Sequence, residues 1–442
     1  MTRYVAGVDS STQSCKVLIV DPATGAVVRS GSAPHPGGTE VDPRHWWEAF
    51  RAAAVAAGGL ADVAAISVAG QQHGLVALND DGEVVRPALL WNDTRSAQAA
   101  TDLIAELGAA AWAEASGSAP VASLTVSKLR WLADHEPQHL AETAAICLPH
   151  DWLSFQLAGT PGVDGLFTDR SDASGTGYLD LHRSEYRRDL LAHALRVSED
   201  AADGYVLPRV CAPFDCAGQV GADDDVTGLR AGTLIGPGCG DNAGAALGLG
   251  LKPGEASISV GTSGVVAVVS DKPVWDSEGR ITGFMDADGG WLPLACTLNG
   301  ARILASTAEL LGVSFEEFDA LALSVPDAAG LVMTPYFEGE RTPNLPDATA
   351  SLAGMRLANW DRAHLAHAAA RALVDLLAGA TELVRTCGVP VERVRLVGGG
   401  AQSEAVRQLL PQVLGVPVEV PEPAEYVALG AAQQAAQVLA AA

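Results

Sequence analysis

Two stretches of this chain share one arrangement of apolar and polar residues. In residues 4–20, two apolar runs rich in Val and Ile flank the polar turn 10–14, and in residues 257–269 two similar runs flank the turn 261–264. Short β-branched runs of this kind are typical of strands, and a turn of Gly, Ser and Thr between them predicts a β-hairpin. The chain is therefore expected to contain two hairpins of the same design.

The rest of the apolar pattern alternates between strands and helices. Asp42 and Pro43 are the expected N-cap and first-turn residues of one helix. Strands that alternate with helices favour an α/β fold. Because the hairpin recurs, we expect two related lobes, residues 1–237 and 238–442, joined by a hinge in the Gly- and Pro-rich segment 232–240. Further strands are predicted at residues 25–30, 64–69, 88–91 and 393–397, and helices at 44–57, 125–134, 151–157, 362–387 and 431–442.

The acidic composition narrows the range of partners. The 442 residues include 28 basic and 53 acidic side chains, which give a formal charge of −25, and 48% of the chain is hydrophobic. A surface of this charge repels DNA, RNA and anionic lipid, so neither nucleic acid nor a membrane is expected as a partner. The charge also repels nucleotides, so a phosphate site in this protein needs backbone dipoles, a lysine or a metal ion.

Cysteine usage and the ends of the chain bear on its location. The seven cysteines are spaced singly, without zinc-finger spacing, and their number is odd. This pattern favours reduced thiols over a disulfide framework. The N-terminus lacks the basic and apolar regions of a signal peptide, and the alanine-rich runs are too short for a membrane span. We therefore expect a cytoplasmic protein.

The first turn has the composition of a phosphate-binding hairpin. Asp9 would lie near a magnesium ion or its waters. Thr12 and the turn amides would bind phosphate oxygens, and Lys16 would supply a positive charge. An ordinary polar hairpin tip uses the same residue types. The second copy, at Gly261 and Thr262, favours phosphate binding and predicts two lobes that close on one phosphate chain.

Asp241 precedes a run of small residues, 243–248, that predicts a closely packed helix. Aspartate is common at the N-cap of a helix, so a capping role is one interpretation. The other interpretation is a general base beside the phosphates, because a carboxylate there can accept the proton of an alcohol that attacks a phosphoryl group. The sequence alone leaves both interpretations open.

Three other segments that follow predicted strands carry polar or glycine-rich chemistry. Gln72 and His73 come after the strand 64–69, where α/β folds place ligand contacts, and both can hydrogen-bond hydroxyl groups. A lone histidine is more often structural. Residues 91–95 combine an aromatic ring with polar groups, which suits a sugar but also a plain loop. Three glycines at 398–400 lie between a strand and a helix, where a flat ligand can lie against the backbone.

These motifs, in this order, resemble the FGGY family of carbohydrate kinases, in the actin-like ATPase superfamily. The resemblance covers essentially the whole chain. Residues 123–132 match one family signature, and residues 350–371 match the second in part, since Ala370 and Arg371 replace the usual residue types. The resemblance implies two actin-like (ribonuclease H-like) α/β lobes with a central cleft, in which the first lobe binds mainly sugar and the second mainly ATP.

The resemblance also implies substrates and site residues. Four segments, 70–74, 90–94, 168–176 and 335–344, are most similar to family members that phosphorylate D-xylulose at its C5 hydroxyl. D-xylulose and MgATP are therefore the expected substrates, and a homodimer is one possible assembly. Asp241 is implied as the proton acceptor and Asp9 as a residue near the metal. The implied sugar contacts are Gln72, His73, Asp241 and Asn242. The implied contacts with ATP are Gly261, Thr262, Gly399, Gly400 and Ala401, together with Thr12 and Lys16 of the first turn.

Two positions depart from the family pattern. The family usually reads Asp-x-Gly-Thr in the first turn, and Ser11 replaces this glycine. Its Cβ would alter the approach of a phosphate, or its hydroxyl would contribute to the site. Ser123 stands where relatives often have a larger residue that touches the substrate. We therefore do not count this segment among the expected sugar contacts.

Three alternative functions stay open. Another FGGY kinase would act on ribulose, fuculose, gluconate or glycerol, although the segments around His73 and Asp93 argue against these substrates. A chaperone-type ATPase of the same superfamily normally carries a peptide-binding or filament surface, and no extra domain is evident for it. A sugar-binding module without catalysis would have no use for two phosphate hairpins.

Overall fold

Both predicted hairpins are present, and each forms the centre of a β-sheet. The computed structural model describes residues 3–442. The strands are β1 (Tyr4–Ser10), β2 (Ser14–Val20), β3 (Val27–Pro34), β4 (Glu40–Val41), β5 (Val63–Gly70), β6 (Val76–Leu78), β7 (Ala88–Leu89), β8 (Ala145–Cys147), β9 (Phe167–Thr168), β10 (Arg209–Val210), β11 (Gly218–Gln219), β12 (Leu234–Ile235), β13 (Cys239–Gly240), β14 (Glu255–Val260), β15 (Gly264–Val268), β16 (Thr282–Met285), β17 (Trp291–Thr297), β18 (Val332–Thr334), β19 (Ser351–Ala353), β20 (Arg393–Val397) and β21 (Val418–Glu419). The helices are α1 (Arg44–Ala56), α2 (Ala97–Leu107), α3 (Ala109–Ser116), α4 (Thr125–His135), α5 (Pro137–Glu142), α6 (Pro149–Ala158), α7 (Arg170–Ser174), α8 (Arg188–Leu195), α9 (Glu199–Ala202), α10 (Asp241–Gly248), α11 (Arg302–Leu311), α12 (Phe315–Leu323), α13 (Arg362–Thr386), α14 (Glu404–Leu414) and α15 (Tyr426–Ala441), with a short 3₁₀ turn at Gly399–Gln402.

The two main sheets share an order of five strands. The first sheet runs β11-β12-β5-β1-β2-β3, and the second, written in the same sense, runs β21-β20-β14-β15-β17-β16, so that β12-β5-β1-β2-β3 corresponds to β21-β20-β14-β15-β17. In each sheet the hairpin is antiparallel, and its first strand is parallel to the neighbour on the other side. This repeat confirms the predicted α/β fold of two lobes. The parallel pairing also brings the first turn beside residues 70–74 and the second turn beside Gly398, because Ser10 pairs with Gly70 and Ser259 pairs with Val397.

Helices cover both faces of the first sheet, which explains why β1 and β5 are almost continuously buried. Phe50 of α1 lies in the core on one face. Ala428 and Ala432 of α15 lie on the other face with Val5. The approach of α15 is close, because a Cβ at Gly7 would lie 2.0 Å from the Ala428 carbonyl oxygen. The last helix, which the sequence assigned to the second lobe, therefore packs against the first sheet.

The segment 232–240 lies inside the first sheet and not between the two lobes, contrary to the sequence prediction. Its strands β12 and β13 both pair with β5 in the first sheet. Two of its glycines are needed for packing: a Cβ at Gly238 would lie 2.3 Å from His150 Cδ2, and one at Gly240 would lie 2.6 Å from Gln72 Nε2. Small residues here let side chains fill the space beside the strand.

The chain passes from the first sheet to the second between Gly240 and Glu255, where β13 ends and β14 begins. The predicted boundary between residues 237 and 238 falls between two strands that pair with β5. Since β13 and α15 both contact the first sheet, residues after 238 contribute to both lobes.

Most predicted helices begin and end close to the expected residues. The helix α13 spans Arg362–Thr386, one residue shorter than predicted. The helix α1 begins at Arg44, so Pro43 occupies the N-cap position and the prediction of Asp42 as N-cap is wrong, although the Asp42 carboxylate accepts the Arg44 backbone N–H at 3.0 Å. The helix α6 begins at Pro149 rather than residue 151, and β7 ends at Leu89 rather than at residue 91. Across residues 3–442, none of the helices has the length and apolar character needed to cross a membrane.

Candidate active site

The carboxylate of Asp241 lies where β13 of the first sheet leads into α10. Gly240 pairs with Gly70 at the end of β5, which brings the residues after each strand together. Asn242 Nδ2 donates to Gln72 Oε1 at 3.0 Å. Asp241 Oδ1 accepts the Asn242 backbone N–H at 2.7 Å and the Asn242 amide at 3.0 Å. The structure thus unites three predicted site residues in one hydrogen-bonded group.

Gly240, and not Asp241, occupies the N-cap position of α10, so the capping interpretation of Asp241 is wrong.

The acid–base state of Asp241 is set by its surroundings. Burial raises the pKa of Asp241 from 3.8 to about 7, and the nearby carboxylate of Asp9 adds to this shift. A carboxylate with a pKa near neutral pH can accept a proton and release it again, which is what a general base must do.

Asp9 lies at the end of β1 with only 3% of its surface exposed. Burial raises the pKa of its carboxylate to about 6, while a hydrogen bond from Ser11 and the charge of Lys16 act in the opposite direction. Ser11 Oγ donates to Asp9 Oδ1 at 2.5 Å. The serine that replaces the family glycine therefore binds Asp9 with its hydroxyl, and its effect on phosphate binding stays a prediction.

The other two residues predicted for the first turn already have protein partners. Lys16 Nζ lies 2.5 Å from Glu425 Oε2, just before α15, and 31% of its side chain is exposed. The Thr12 hydroxyl accepts the ring N–H of Trp91 at 2.8 Å. The positive charge of Lys16 is therefore partly neutralised by the protein, and the phosphate roles of Lys16 and Thr12 stay predictions.

His73 has a strained backbone and a neutral ring. Its φ of 69° is in the left-handed region, which is uncommon for residues other than glycine. Its Nδ1 lies 2.8 Å from the Gly175 carbonyl oxygen, and its ring lies 5.3 Å from the Phe284 ring of the second sheet. Burial lowers the pKa of His73 to about 3, and Lys128 contributes to this shift. The neutral ring donates from Nδ1 to Gly175, which leaves Nε2 as an acceptor for a hydroxyl.

A buried lysine supports the loop next to His73. Lys128 is fully buried, and its ammonium group donates to the carbonyl oxygens of Ala122, at 3.0 Å, and Ser123. The Thr125 hydroxyl donates to the His73 carbonyl oxygen at 3.2 Å. The family signature that contains Lys128 thus holds the backbone beside His73, a role that the sequence did not reveal.

Four of the seven residues predicted to contact ATP line one cavity of about 930 Å³. Gly261 and Thr262 come from the turn between β14 and β15, and Gly399 and Gly400 come from the 3₁₀ turn after β20. Ala401 is buried next to them. Ligand sites commonly have volumes of roughly 300–1,000 Å³, so the cavity is large enough for a nucleotide.

Two neighbouring glycines of this cavity have different structural roles. A Cβ at Gly399 would meet no protein atom within 4 Å, so the backbone there faces open space. A Cβ at Gly400 would lie 2.4 Å from Val260 Cγ1, so glycine is required there for packing. The open backbone at Gly399 and Gly261 forms a cradle that a side chain would fill and a phosphate can approach.

Models of one protein family cover nearly the entire chain. The model described as the FGGY family of carbohydrate kinases, N-terminal domain, matches residues 4–248, and that of the C-terminal domain matches residues 256–439. The chain belongs to the FGGY family of carbohydrate kinases. The gap between the two matches falls in the interval where the chain of this FGGY kinase passes from the first sheet to the second.

Individual relatives agree with this assignment. The xylulose kinase of Streptomyces coelicolor (strain ATCC BAA-471 / A3(2) / M145) is 47% identical over 442 residues, which cover 98% of this chain and 88% of that protein. The crystal structure of xylulose kinase from Bifidobacterium adolescentis is 47% identical with a TM-score of 0.93, covering 100% of this chain and 94% of that one. The crystal structure of gluconate kinase from Lactobacillus acidophilus, at 23% identity with a TM-score of 0.89 and covering 100% and 90%, shares the fold alone.

The opposite wall of the 930 Å³ cavity was not predicted from the sequence. It is formed by α12 and the start of α14, including Phe315 and Asp319. Asp319 accepts hydrogen bonds from the Ser403 hydroxyl at 2.6 Å and the Glu404 N–H at 2.8 Å. A capping box at Ser314 marks the start of α12, but this signal identifies a helix end and not a ligand site.

A kinase that uses ATP also needs a place for Mg²⁺. Within the described part of the chain, no three His, Cys, Asp or Glu side chains form a cluster that could hold a metal ion. Mg²⁺ in nucleotide sites usually binds one or two carboxylates together with phosphate oxygens and water. The buried carboxylate of Asp9 is compatible with this arrangement, and its role near the metal stays a prediction.

Proposed function

We propose that this FGGY kinase transfers the terminal phosphoryl group of ATP to the C5 hydroxyl of D-xylulose, which is the xylulokinase reaction. The observation that carries the proposal is the group formed by Gln72, Asn242 and Asp241, in which a carboxylate with a pKa near 7 lies beside two amide side chains. The choice of sugar is supported by the two xylulose kinases that are 47% identical to the chain.

The sugar-binding residues offer hydrogen-bonding groups that match a polyhydroxylated ligand. Gln72 uses Oε1 to hold Asn242, which leaves the amide protons of Gln72 and the Asn242 carbonyl oxygen for a ligand. His73 offers Nε2 as an acceptor. We infer that these groups orient D-xylulose so that its terminal hydroxyl points to Asp241. A substrate without these hydroxyls would leave buried polar groups unpaired, which is the basis of selectivity.

Asp241 is proposed as the general base. Its carboxylate accepts the proton of the C5 hydroxyl as that oxygen bonds to the phosphoryl group. The hydrogen bonds from Asn242 to Oδ1 hold the carboxylate in place and leave Oδ2 for the proton. Catalysis by a positioned base is worth about 10²–10⁴ in rate. Closure of the lobes would expel water, so that the sugar competes effectively as the acceptor.

The nucleotide is proposed to lie in the cavity of the second lobe. MgATP would supply the phosphoryl group, and its Mg²⁺ would offset the negative charge of the ATP phosphates. The open backbone at Gly261 and Gly399 would let the phosphates approach closely. Thr12 and Lys16 would complete the phosphate site from the first turn, with Asp9 near the metal. The remaining proposed contacts are Thr262 and Gly400, which line the cavity, and Ala401, which follows Gly400 in the chain.

A coupled assay of ADP release tests the proposal. The substrates are D-xylulose, ribulose, fuculose, gluconate and glycerol at equal concentrations. We expect kcat/KM for D-xylulose to exceed that of every other substrate by about 100-fold or more, because the polar site penalises mismatched hydroxyls. A higher kcat/KM for any other member of the panel would overturn the choice of sugar while leaving the kinase assignment intact.

Location and assembly are also proposals. We propose a cytoplasmic location, which is supported by the free thiols of all seven cysteines. A homodimer is proposed as one assembly, to be tested by light scattering.

A further inference from the structure

The short helix α7 contacts three parts of the molecule that the reaction depends on. Its Ser171 hydroxyl accepts the N–H of Gly240, the residue before Asp241, at 3.1 Å. The carbonyl of Gly175, directly after the helix, binds His73 Nδ1 at 2.8 Å. These two contacts connect Asp241 and His73, both residues of the proposed sugar site, to α7 and the residue that follows it.

The same helix also reaches the second lobe. Ser174 Oγ accepts the N–H of Met285 in β16 at 3.0 Å. Ser171 and Ser174 are both at most 1% exposed. A hydrogen bond that is shielded from water holds its partners more firmly than an exposed one. The position of α7 therefore relates the second lobe to the residues that carry Asp241 and His73.

A buried histidine anchors α7 to the first lobe. His150 Nδ1 lies 2.7 Å from Asp172 Oδ2, and both side chains are fully buried. His150 fills the space beneath two strands of the site, because a Cβ at Gly70 would lie 2.9 Å from His150 Cβ and one at Gly238 would lie 2.3 Å from the ring. His150 therefore packs against β5 and against Gly238, directly before β13, and its ring also binds Asp172 of α7.

The charges around His150 strengthen this anchor. Burial opposes a charge on the ring, but the carboxylates of Asp151, Asp172 and Asp169 outweigh burial and raise the pKa of His150 to about 10. Asp169 also accepts the N–H groups of Ser171 and Asp172, at 2.7 and 3.0 Å, at the start of α7. A charged hydrogen bond in a buried setting is strong and directional.

We propose that His150 and Asp172 are positioning residues that fix α7 and, through the Ser171 hydroxyl and the Gly175 carbonyl, set Asp241 and His73 in their relative positions. The roles of Asp241 and His73 rest on the proposed function. Neither His150 nor Asp172 needs to touch the sugar for this effect, because α7 carries the contacts.

The first test removes one hydroxyl. Ser171→Ala deprives the Gly240 N–H of its acceptor, and Ser116→Ala is the matched control, a buried serine of the same lobe that donates to Trp112 and Ser118 carbonyls. We expect hydrogen–deuterium exchange at Gly240 to become about 10-fold faster in Ser171→Ala alone. We expect its kcat to fall by about 10-fold with little change in the sugar KM, because Asp241 is displaced.

The exchange measurement does not depend on the identity of the sugar. Unchanged exchange at Gly240 in Ser171→Ala overturns the inference, even if D-xylulose is the substrate. Altered exchange with activity on another sugar supports the inference and overturns only the proposed substrate.

The second test addresses the anchor and holds even if one variant folds poorly. Asp172→Ala removes the acceptor of His150, whereas Asp172→Asn keeps an oxygen in its place. We expect Asp172→Ala to lower kcat by about 10-fold or more and to raise the sugar KM, since both ends of α7 shift. Asp172→Asn is expected to recover most of both parameters. Variants that differ from the wild type in Tm but not in kcat or KM would contradict a positioning role.

Discussion

At the residue scale, the site depends on side chains whose burial changes their acid–base chemistry. Asp241 has its pKa raised to about 7, which makes its carboxylate a usable base at neutral pH. His73 has its pKa lowered to about 3, which keeps its ring neutral, and the hydrogen bond from Nδ1 to Gly175 leaves Nε2 as an acceptor. The two shifts have opposite signs because burial disfavours whichever form is charged. Each shift leads to a prediction.

The pH dependence of the reaction should report the pKa of Asp241. A general base acts only when it is deprotonated, so kcat/KM for the sugar should be constant above pH 7 and fall about tenfold per pH unit below it. Initial rates between pH 5 and pH 9, with ATP saturating, measure this decrease of kcat/KM on the acidic side of the pH profile. A decrease near pH 4, the ordinary range of an aspartate, would contradict the role of burial.

Replacement of His73 should affect sugar binding more than chemistry. His73→Ala removes the proposed acceptor for a sugar hydroxyl, so the sugar KM should rise by about 10-fold or more while kcat falls less. His45→Ala, at an exposed position of α1, is the control and should match the wild type. An unchanged sugar KM in His73→Ala would return this histidine to a structural role.

At the element scale, the two hairpin turns and the glycine turn after β20 carry the proposed nucleotide site. The hairpins and α13 were predictable because their patterns are local: apolar runs around a turn, and one long helical pattern over residues 362–387. The hinge at 232–240 was wrong because glycines that permit close packing have the same composition as flexible ones. The anchor of α7 was not predictable, because His150 and Asp172 are distant in sequence and meet only in the fold.

The two glycines of the turn after β20 should respond differently to one added methyl group. Gly400→Ala places a Cβ 2.4 Å from Val260 Cγ1 and should cost about 1–3 kcal/mol of stability. Gly399→Ala places its Cβ in open space of the cavity, so it should leave Tm almost unchanged and raise the KM for ATP. Measurements of Tm and of the KM for ATP in the two variants test this prediction. A Gly399→Ala enzyme with wild-type KM for ATP would argue against phosphate binding at this turn.

At the scale of the whole molecule, the C-terminal helix packs against elements of the first lobe that support the proposed site. The last helix α15 packs on the first sheet and on α10, which begins with Asp241. The contact with α10 is very close, because a Cβ at Gly430 would lie 2.0 Å from the Gly244 carbonyl oxygen. The sequence did not reveal this arrangement, since an alanine-rich helix has no distinct apolar stripe to indicate its partner. The helix that carries the proposed base is therefore supported by the far end of the chain.

The central claim is that Asp241 acts as the base for phosphoryl transfer to D-xylulose. The most direct measurement is phosphorus NMR of the products formed from ATP and D-xylulose by the wild type and by Asp241→Ala, with ATP affinity measured in parallel. The account predicts D-xylulose 5-phosphate from the wild type, and a rate lower by about 10²–10⁴ for the variant at unchanged ATP affinity. Formation of the same product by Asp241→Ala at a rate near that of the wild type would contradict it.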